Sequence, residues 1–209
     1  MNNKFSEEMI VALRESVKNE MGENRYFHTL EVEKMAARLG EVYAPEQIPM
    51  LRAAALLHDI TKERTTDEHI FICENAGEIV SLADRKAPKM FHSRTAALVI
   101  PMKYPKFATD EIISAVRYHT TGRANMTVAE KIIYLADYID MSRTFSDCVM
   151  LRNFFFDFDF DSADDQSKIS HLNDTLIMSY DLTIKGLLED GKHIDRATFE
   201  ARNFLILEK

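Results

Sequence analysis

An all-α fold is predicted for this chain by three features of its sequence. Apolar residues recur at helical spacing in one segment after another, and capping residues stand where those segments begin, with glycine or proline where they end. Period-two alternation, the mark of a half-buried strand, is confined to a single stretch near residues 153–165.

The first helix opens at Ser6, whose hydroxyl can accept from the free amides of the first turn, and Glu7 and Glu8 suit its positive end. Its apolar face is Met9, Ile10, Leu13, Val17 and Met21, and Gly22 reads as its stop. A second helix is expected over about 24–39, stopped by Gly40; His28, Val32, Met35 and Leu39 share a face, so one imidazole points inward. A third begins after Pro45 and ends in Ala53-Ala54-Ala55-Leu56-Leu57-His58-Asp59. Weaker helical segments at 68–76 and 92–100 precede the breaks expected at Pro101 and Pro105. Thr109 caps a helix through Val116 and Tyr118 that Gly122 ends. Thr127 and Glu130 form a capping box opening the helix that carries Asp137. Further helices are expected over 168–189 and 198–207, the second capped by Asp195.

The stretch 153–165, NFFFDFDFDSADD, invites a calcium-loop reading through its D-x-D-x-D run. Counted from Asp157, however, the sixth position is Ser162 rather than glycine and the twelfth is Lys168 rather than glutamate. An ordered loop packing its phenylalanines on the helices is expected instead.

With 209 residues, 46% of them hydrophobic, the chain can bury one proper core. We expect a single domain over 1–209, with a catalytic core at about 20–145 and a C-terminal helical extension at about 166–209. No window approaches 18 uncharged apolar residues, so no membrane span is expected. The first residues carry an acidic pair where a secretory signal is apolar, and Cys73 and Cys148 form no C-x-x-C pair; both point to a cytoplasmic protein with reduced thiols. The net charge of −8 argues against broad nucleic-acid binding. A small polyanion is still admissible, because a few cations and bound metals can reverse the sign inside one cleft.

Six residues carry the chemistry: His28, His58, Asp59, His92, His119 and Asp137. The His-Asp dipeptide alone is weak evidence, but its setting strengthens it. His58 and Asp59 end a run of alanines and leucines, and Asp137 stands alone in Ile132-Ile133-Tyr134-Leu135-Ala136-Asp137-Tyr138-Ile139. Ionisable groups in such runs are costly to bury unless a cation compensates them. Imidazole and carboxylate ligands without thiolate suit Fe, Mn, Co, Zn or Mg rather than a closed structural zinc site. Neighbouring helical residues project about 100° apart. His58 can therefore serve one metal while Asp59 bridges two, with His28 and Asp137 completing the first and His92 and His119 the second. Two such metals can share a hydroxide and hold it in line with a phosphorus atom. His69, His171 and His193 read as ordinary structural or surface histidines.

Cations and hydroxyls surround the set. Arg25 precedes His28 by three, Lys62 follows Asp59 by three, and Arg143 follows Asp137 by six. Arg117-Tyr118-His119-Thr120-Thr121-Gly122-Arg123 combines a ligand with hydroxyls and guanidinium groups suited to phosphate oxygens.

So assembled, the chain resembles the HD-domain phosphohydrolases and, within them, the bacterial YqeK family of symmetrical diadenosine tetraphosphate hydrolases. The matching segments are Arg25-Tyr26-Phe27-His28-Thr29-Leu30, Ala54 through Lys62, Arg117 through Arg123, Glu130 through Ile139, and Glu200-Ala201-Arg202-Asn203. The resemblance implies an HD-domain helical bundle with a dinuclear metal site between helices, most readily di-iron, that cleaves diadenosine tetraphosphate into two ADP. It carries metal binding onto His28, His58, Asp59, His92, His119 and Asp137, and substrate contacts onto Arg25, Lys62, His119, Thr120, Thr121, Arg123 and Arg143. Asp59, Lys62 and Arg143 are the expected catalytic residues: Asp59 orients the hydroxide, and the two cations offset developing charge. The chain departs from the family in reading Asp140-Met141-Ser142-Arg143 where Glu-Pro-x-Arg is usual, in following His92 with Ser93-Arg94, and in the Phe/Asp stretch. A dinucleoside polyphosphate is the expected substrate, with no nucleic-acid or membrane partner, and exposed phenylalanines near 154–160 suggest a homodimer. The rival readings are an HD nucleotidase acting on a mononucleotide and a non-catalytic nucleotide-binding factor.

Overall fold

In the computed structural model, which describes residues 5–209, eleven α-helices follow one another and no strand occurs among the described residues. The first, α1 (Glu7–Lys18), starts where Ser6 Oγ accepts from Met9 N and buries Ile10, Leu13 and Val17. It ends before Gly22, which instead precedes α2 (Glu23–Tyr43) as its N-cap, with its amide donating to Glu63 Oε2 at 2.7 Å. Gly40 is likewise no stop, since α2 runs through it. A Cβ there would meet Leu51 Cδ1 at 2.9 Å and Ile48 Cγ1 at 3.0 Å, so this glycine lets α2 and α3 (Ile48–Leu57) approach closely.

After α3 come α4 (Thr66–Asn75), the short α5 (Leu82–Lys86) and α6 (Phe91–Lys103). Pro101 does not break α6. It lies in the last turn, and Tyr104 N still closes the helix onto Ile100 O at 2.8 Å. Thr109 caps α7 (Asp110–Tyr118), and the expected capping box of Thr127 and Glu130 opens α8 (Val128–Ile139).

The next helix, α9 (Ser146–Phe156), takes up the first part of the Phe/Asp stretch, so the expected loop shrinks to the segment before Asp165. The helical spacing of its buried Cys148, Leu151 and Phe155 outweighs the period-two pattern that follows. The phenylalanines do pack inward: Phe158 stacks on His171 at 4.2 Å and Phe160 lies 5.2 Å from Phe155. Of this group Phe154 is exposed, Phe155 is buried, and Phe156, Phe158 and Phe160 are half-buried. The chain closes with α10 (Asp165–Glu189) and α11 (Arg196–Leu207), capped by Asp164 and Asp195.

Packing places α3 at the centre, against α1, α2, α7 and α8. Its residues Ala53 to Leu57 are fully buried, and Ile132, Ile133, Leu135, Ala136 and Ile139 of α8 extend the same core. Helix α6 flanks α7, while α10 covers α8 and α9. The His-Asp pair therefore leaves the C-terminal end of the most enclosed helix. No described helix is long and apolar enough to cross a membrane.

Candidate metal centre

Five segments deliver the six predicted ligands to one place. His28 comes from α2, His58 and Asp59 from the end of α3, His92 from the first turn of α6, His119 from the residue after α7, and Asp137 from α8. His58 keeps helical dihedrals, so the two neighbouring side chains diverge as a continued helix requires.

Three of the imidazoles are fixed in the same way. The Nδ1 of His58 lies 2.6 Å from Ala55 O, that of His92 2.7 Å from Lys89 O, and that of His119 2.7 Å from Val116 O. A carbonyl only accepts, so each Nδ1 carries the hydrogen and each Nε2 presents a lone pair. In all three the carbonyl belongs to the residue three positions earlier, so a single turn of backbone both orients the ring and selects the tautomer a metal needs.

Asp59 lies between two groups of imidazoles. Its Oδ2 is 3.4 Å from His58 Nε2 and 3.9 Å from His28 Nε2; its Oδ1 is 3.3 Å from His92 Nε2 and 3.7 Å from His119 Nε2. Asp137 Oδ1 adds to the first group, 3.0 Å from His28 Nε2 and 3.8 Å from His58 Nε2. Ligand atoms of His28, His58 and Asp137 lie within 4.8 Å of one another, as do those of His58, Asp59 and His119. The Nε2 atoms of His28 and His58 and Oδ1 of Asp59 are buried without a hydrogen-bond partner. Imidazole nitrogens and carboxylate oxygens crowded at these distances in a buried centre fit divalent cations.

The electrostatics agree. Burial pushes Asp59 up, but His58, His119 and Lys62 hold its carboxyl well below the usual range. Burial likewise opposes ionisation of Asp137, and Arg143 and His28 overcome it. Burial pushes His92 and His119 down, keeping them neutral as ligands must be. At His28 burial is outweighed by Asp137 beside Nε2 and Asp140 beside Nδ1, which lift it to about 9, so a metal bound there would displace a proton.

The predicted phosphate-side residues divide into two sets. Arg25 Nη1 pairs with Asp59 Oδ2 at 2.8 Å, Lys62 Nζ lies 2.9 Å from His92 Nε2, and Arg143 Nη2 pairs with Asp137 Oδ1 at 2.5 Å. Thr120 Oγ1 lies 3.1 Å from His92 Nε2. Lys62, His119, Thr120, Asp137 and Arg143 line one cavity of about 580 Å³, with Tyr134 and Tyr138 on its wall. Thr121 and Arg123 do not reach it. Thr121 faces a separate cavity beside Arg117 and Tyr118, its hydroxyl donating to Gly122 O. Arg123 pairs with buried Glu130 at 3.0 Å, which also accepts from Ser114. His69 and His171 are structural as expected, although buried: Nδ1 of His69 meets Thr95 Oγ1 at 2.8 Å, and Nε2 of His171 meets Phe155 O at 3.0 Å.

Three supporting residues escape the sequence reading. Asp140 and Ser142 face Nδ1 of His28, and Arg152 donates to the carbonyls of Ile139 and Arg143 at 2.7 Å each. Asp140 offered a signal, a second lone carboxylate closing the same apolar run as Asp137.

The chain is similar to known proteins in sequence and in fold. The family model described as "HD domain" matches residues 25–142. A symmetrical bis(5'-nucleosyl)-tetraphosphatase of Bacillus subtilis (strain 168) is 30% identical over 91% of this chain and 94% of its own length. One of Halalkalibacterium halodurans is 32% identical over 92% of this chain and 95% of its own. Among solved structures, a predicted HD superfamily hydrolase involved in NAD metabolism from Clostridium acetobutylicum superposes with a TM-score of 0.82. It is 33% identical and matches over 95% of this chain and 97% of that one. With the HD model spanning all six candidate ligands and these relatives spanning nearly its whole length, the chain belongs to the HD-domain hydrolases and to their YqeK-type family.

Proposed function

We propose that this chain hydrolyses dinucleoside tetraphosphates symmetrically, diadenosine tetraphosphate to two ADP, with the aid of two metal ions. The observation that carries the reading is the position of Asp59, whose oxygens face separate groups of imidazoles beside a cavity lined by Lys62 and Arg143. The relatives' names support the substrate class, and a cavity of about 580 Å³ has the size small-ligand sites use.

His28, His58 and Asp137 would hold one ion, His92 and His119 the other, and Asp59 both. Iron is the favoured occupant, and manganese, cobalt, zinc and magnesium accept the same ligands. Such a pair supplies Lewis acidity and activates water against phosphorus. The protein's own share is positioning and charge. Lys62 and Arg143 on the cavity wall offset the charge that develops on the phosphate oxygens. Thr120 adds a hydroxyl donor, and Arg25 fixes Asp59 through Oδ2, the oxygen that faces His28 and His58. Residues of about 20–145 form the catalytic core in this reading, and α10 and α11 are the extension that backs it.

Separating the products of metal-loaded protein on diadenosine tetraphosphate tests the proposal. Two ADP per substrate are expected; ATP with AMP, or no cleavage beside phosphate release from AMP, would overturn it. The Clostridium neighbour is described as involved in NAD metabolism, so NAD belongs in the same panel. Cleavage of NAD with the tetraphosphate left intact would move the reading to that dinucleotide.

A further inference from the structure

Three imidazoles of the centre take their Nδ1 support from their own helix turn, whereas His28 takes it from a segment 114 residues away. Ser142 Oγ lies 3.1 Å from His28 Nδ1, and Asp140 Oδ2 lies 3.4 Å from it. Asp140 is fully buried at the C-cap of α8. Its Oδ1 accepts from the backbone amide of Ser142 at 2.8 Å and from the Ser142 hydroxyl. Its Oδ2 has no hydrogen-bond partner and also lies 3.4 Å from Arg143 Nε.

The hydrogen positions follow from these contacts. If His28 offers Nε2 to a cation, its hydrogen sits on Nδ1. An ionised carboxylate only accepts, so the Ser142 hydroxyl gives its hydrogen to Asp140 and accepts from His28 Nδ1. The order is His28 Nδ1–H to Ser142 Oγ–H to Asp140 Oδ1.

We propose that Asp140 and Ser142 are positioning residues that fix the tautomer and ring plane of His28 and, through the same carboxylate, the guanidinium of Arg143. Arg143 Nε donates its hydrogen to Asp137 O at 2.7 Å and Nη2 pairs with Asp137 Oδ1, while the Asp140 carboxylate adds a charge contact at Nε. Arg152 braces the turn from beneath by donating to the carbonyls of Ile139, Asp140 and Arg143. The first metal's histidine and the phosphate-side arginine are thereby locked to one buried acid. Supporting groups of this kind cost about 10–100-fold in metal affinity or activity when removed.

The inference rests on the metal-dependent reading of the site, not on which phosphate bond is cut. Calorimetric titration of the metal-stripped full-length chain with Mn²⁺ tests it in Ser142→Ala, Asp140→Asn and Ser142→Thr. Ser142→Ala should weaken one Mn²⁺ event about tenfold and leave the other as in wild type, Asp140→Asn should weaken it by up to about 100-fold, and Ser142→Thr should restore it. In loaded enzyme, kcat should fall in the same order. Should Asp140→Asn melt early in its stripped form, Ser142→Ala remains decisive, since that half-buried hydroxyl is not part of the core. Wild-type affinity for both Mn²⁺ events in Ser142→Ala overturns the inference. A wild-type chain that takes up no Mn²⁺ overturns the metal reading and this inference with it. A wrong product on the substrate panel, with the titration as expected, touches only the proposed reaction.

Discussion

The Nε2 atoms of His92 and His119 lie 3.0 Å apart, and both rings have already given their Nδ1 hydrogen to a backbone carbonyl. Two lone pairs therefore face each other in a buried space; Lys62 Nζ at 2.9 Å and Thr120 Oγ1 at 3.1 Å can donate to that of His92, and a cation between the rings would serve both. A ligand that binds only the folded state at 100 times its dissociation constant stabilises by about 2.7 kcal/mol. For a chain of this length that corresponds to a rise of roughly 5–10 °C in melting temperature. Melting curves of chelator-stripped protein with and without Mn²⁺ or Fe²⁺ should show it. Identical curves would mean that the lone pairs are relieved in another way.

Asp59 is the group both halves of the centre share, and it is 2% exposed. Asp59→Ala should remove both metal equivalents and take turnover well beyond the roughly 100-fold loss that a supporting residue causes. Metal analysis and turnover on the same sample read it. Full activity in that variant would end the mechanism proposed for Asp59.

Much of this centre is legible in the sequence because burial of charge is conspicuous there. His58-Asp59 after a run of alanines and leucines, and Asp137 among isoleucines, announce groups that water does not solvate. Thr120 and Thr121 are harder to tell apart. They are chemically alike, and only the turn after α7 decides that one meets His92 while the other faces away. Gly40 misleads for a related reason, since a glycine that permits a close approach looks in one dimension like a glycine that ends a helix, and Gly22 misleads because it opens α2 rather than closing α1. Helix α9 is obscured because its last residues merge into the Phe-Asp alternation.

That division predicts unequal effects within one segment. Thr120→Val should raise KM or lower kcat, while Thr121→Val should leave kcat/KM within about twofold, since its hydroxyl stays with Gly122 O. Arg123→Ala should act on stability. It strips a partner from Glu130, a carboxylate 1% exposed, at a cost of about 1–3 kcal/mol, moderated because Arg123 itself is part-exposed. Urea melts and steady-state kinetics on the three variants decide the matter. A large rise in KM with unchanged stability in Arg123→Ala would return that residue to the substrate.

Gly122 ties the site to the C-terminal helices. It has φ +64°, and a Cβ there would meet Tyr180 Oη at 1.8 Å, Tyr180 Cζ at 2.9 Å and Ala201 Cβ at 3.1 Å. Tyr180 cannot yield easily, because it is fully buried and its ring lies 4.8 Å from that of Tyr134, which lines the cavity. Gly122→Ala should therefore cost about 2–5 kcal/mol, from the left-handed backbone together with overpacking. It should also lower kcat, because the displaced turn carries His119 and Thr120. Tyr180→Phe removes the atom in closest conflict, so the double variant should recover part of the loss rather than add to it. Wild-type melting and kcat in Gly122→Ala would show that α10 and α11 do not brace the turn. Recovery in the double variant would show that they do so through the ring of Tyr180.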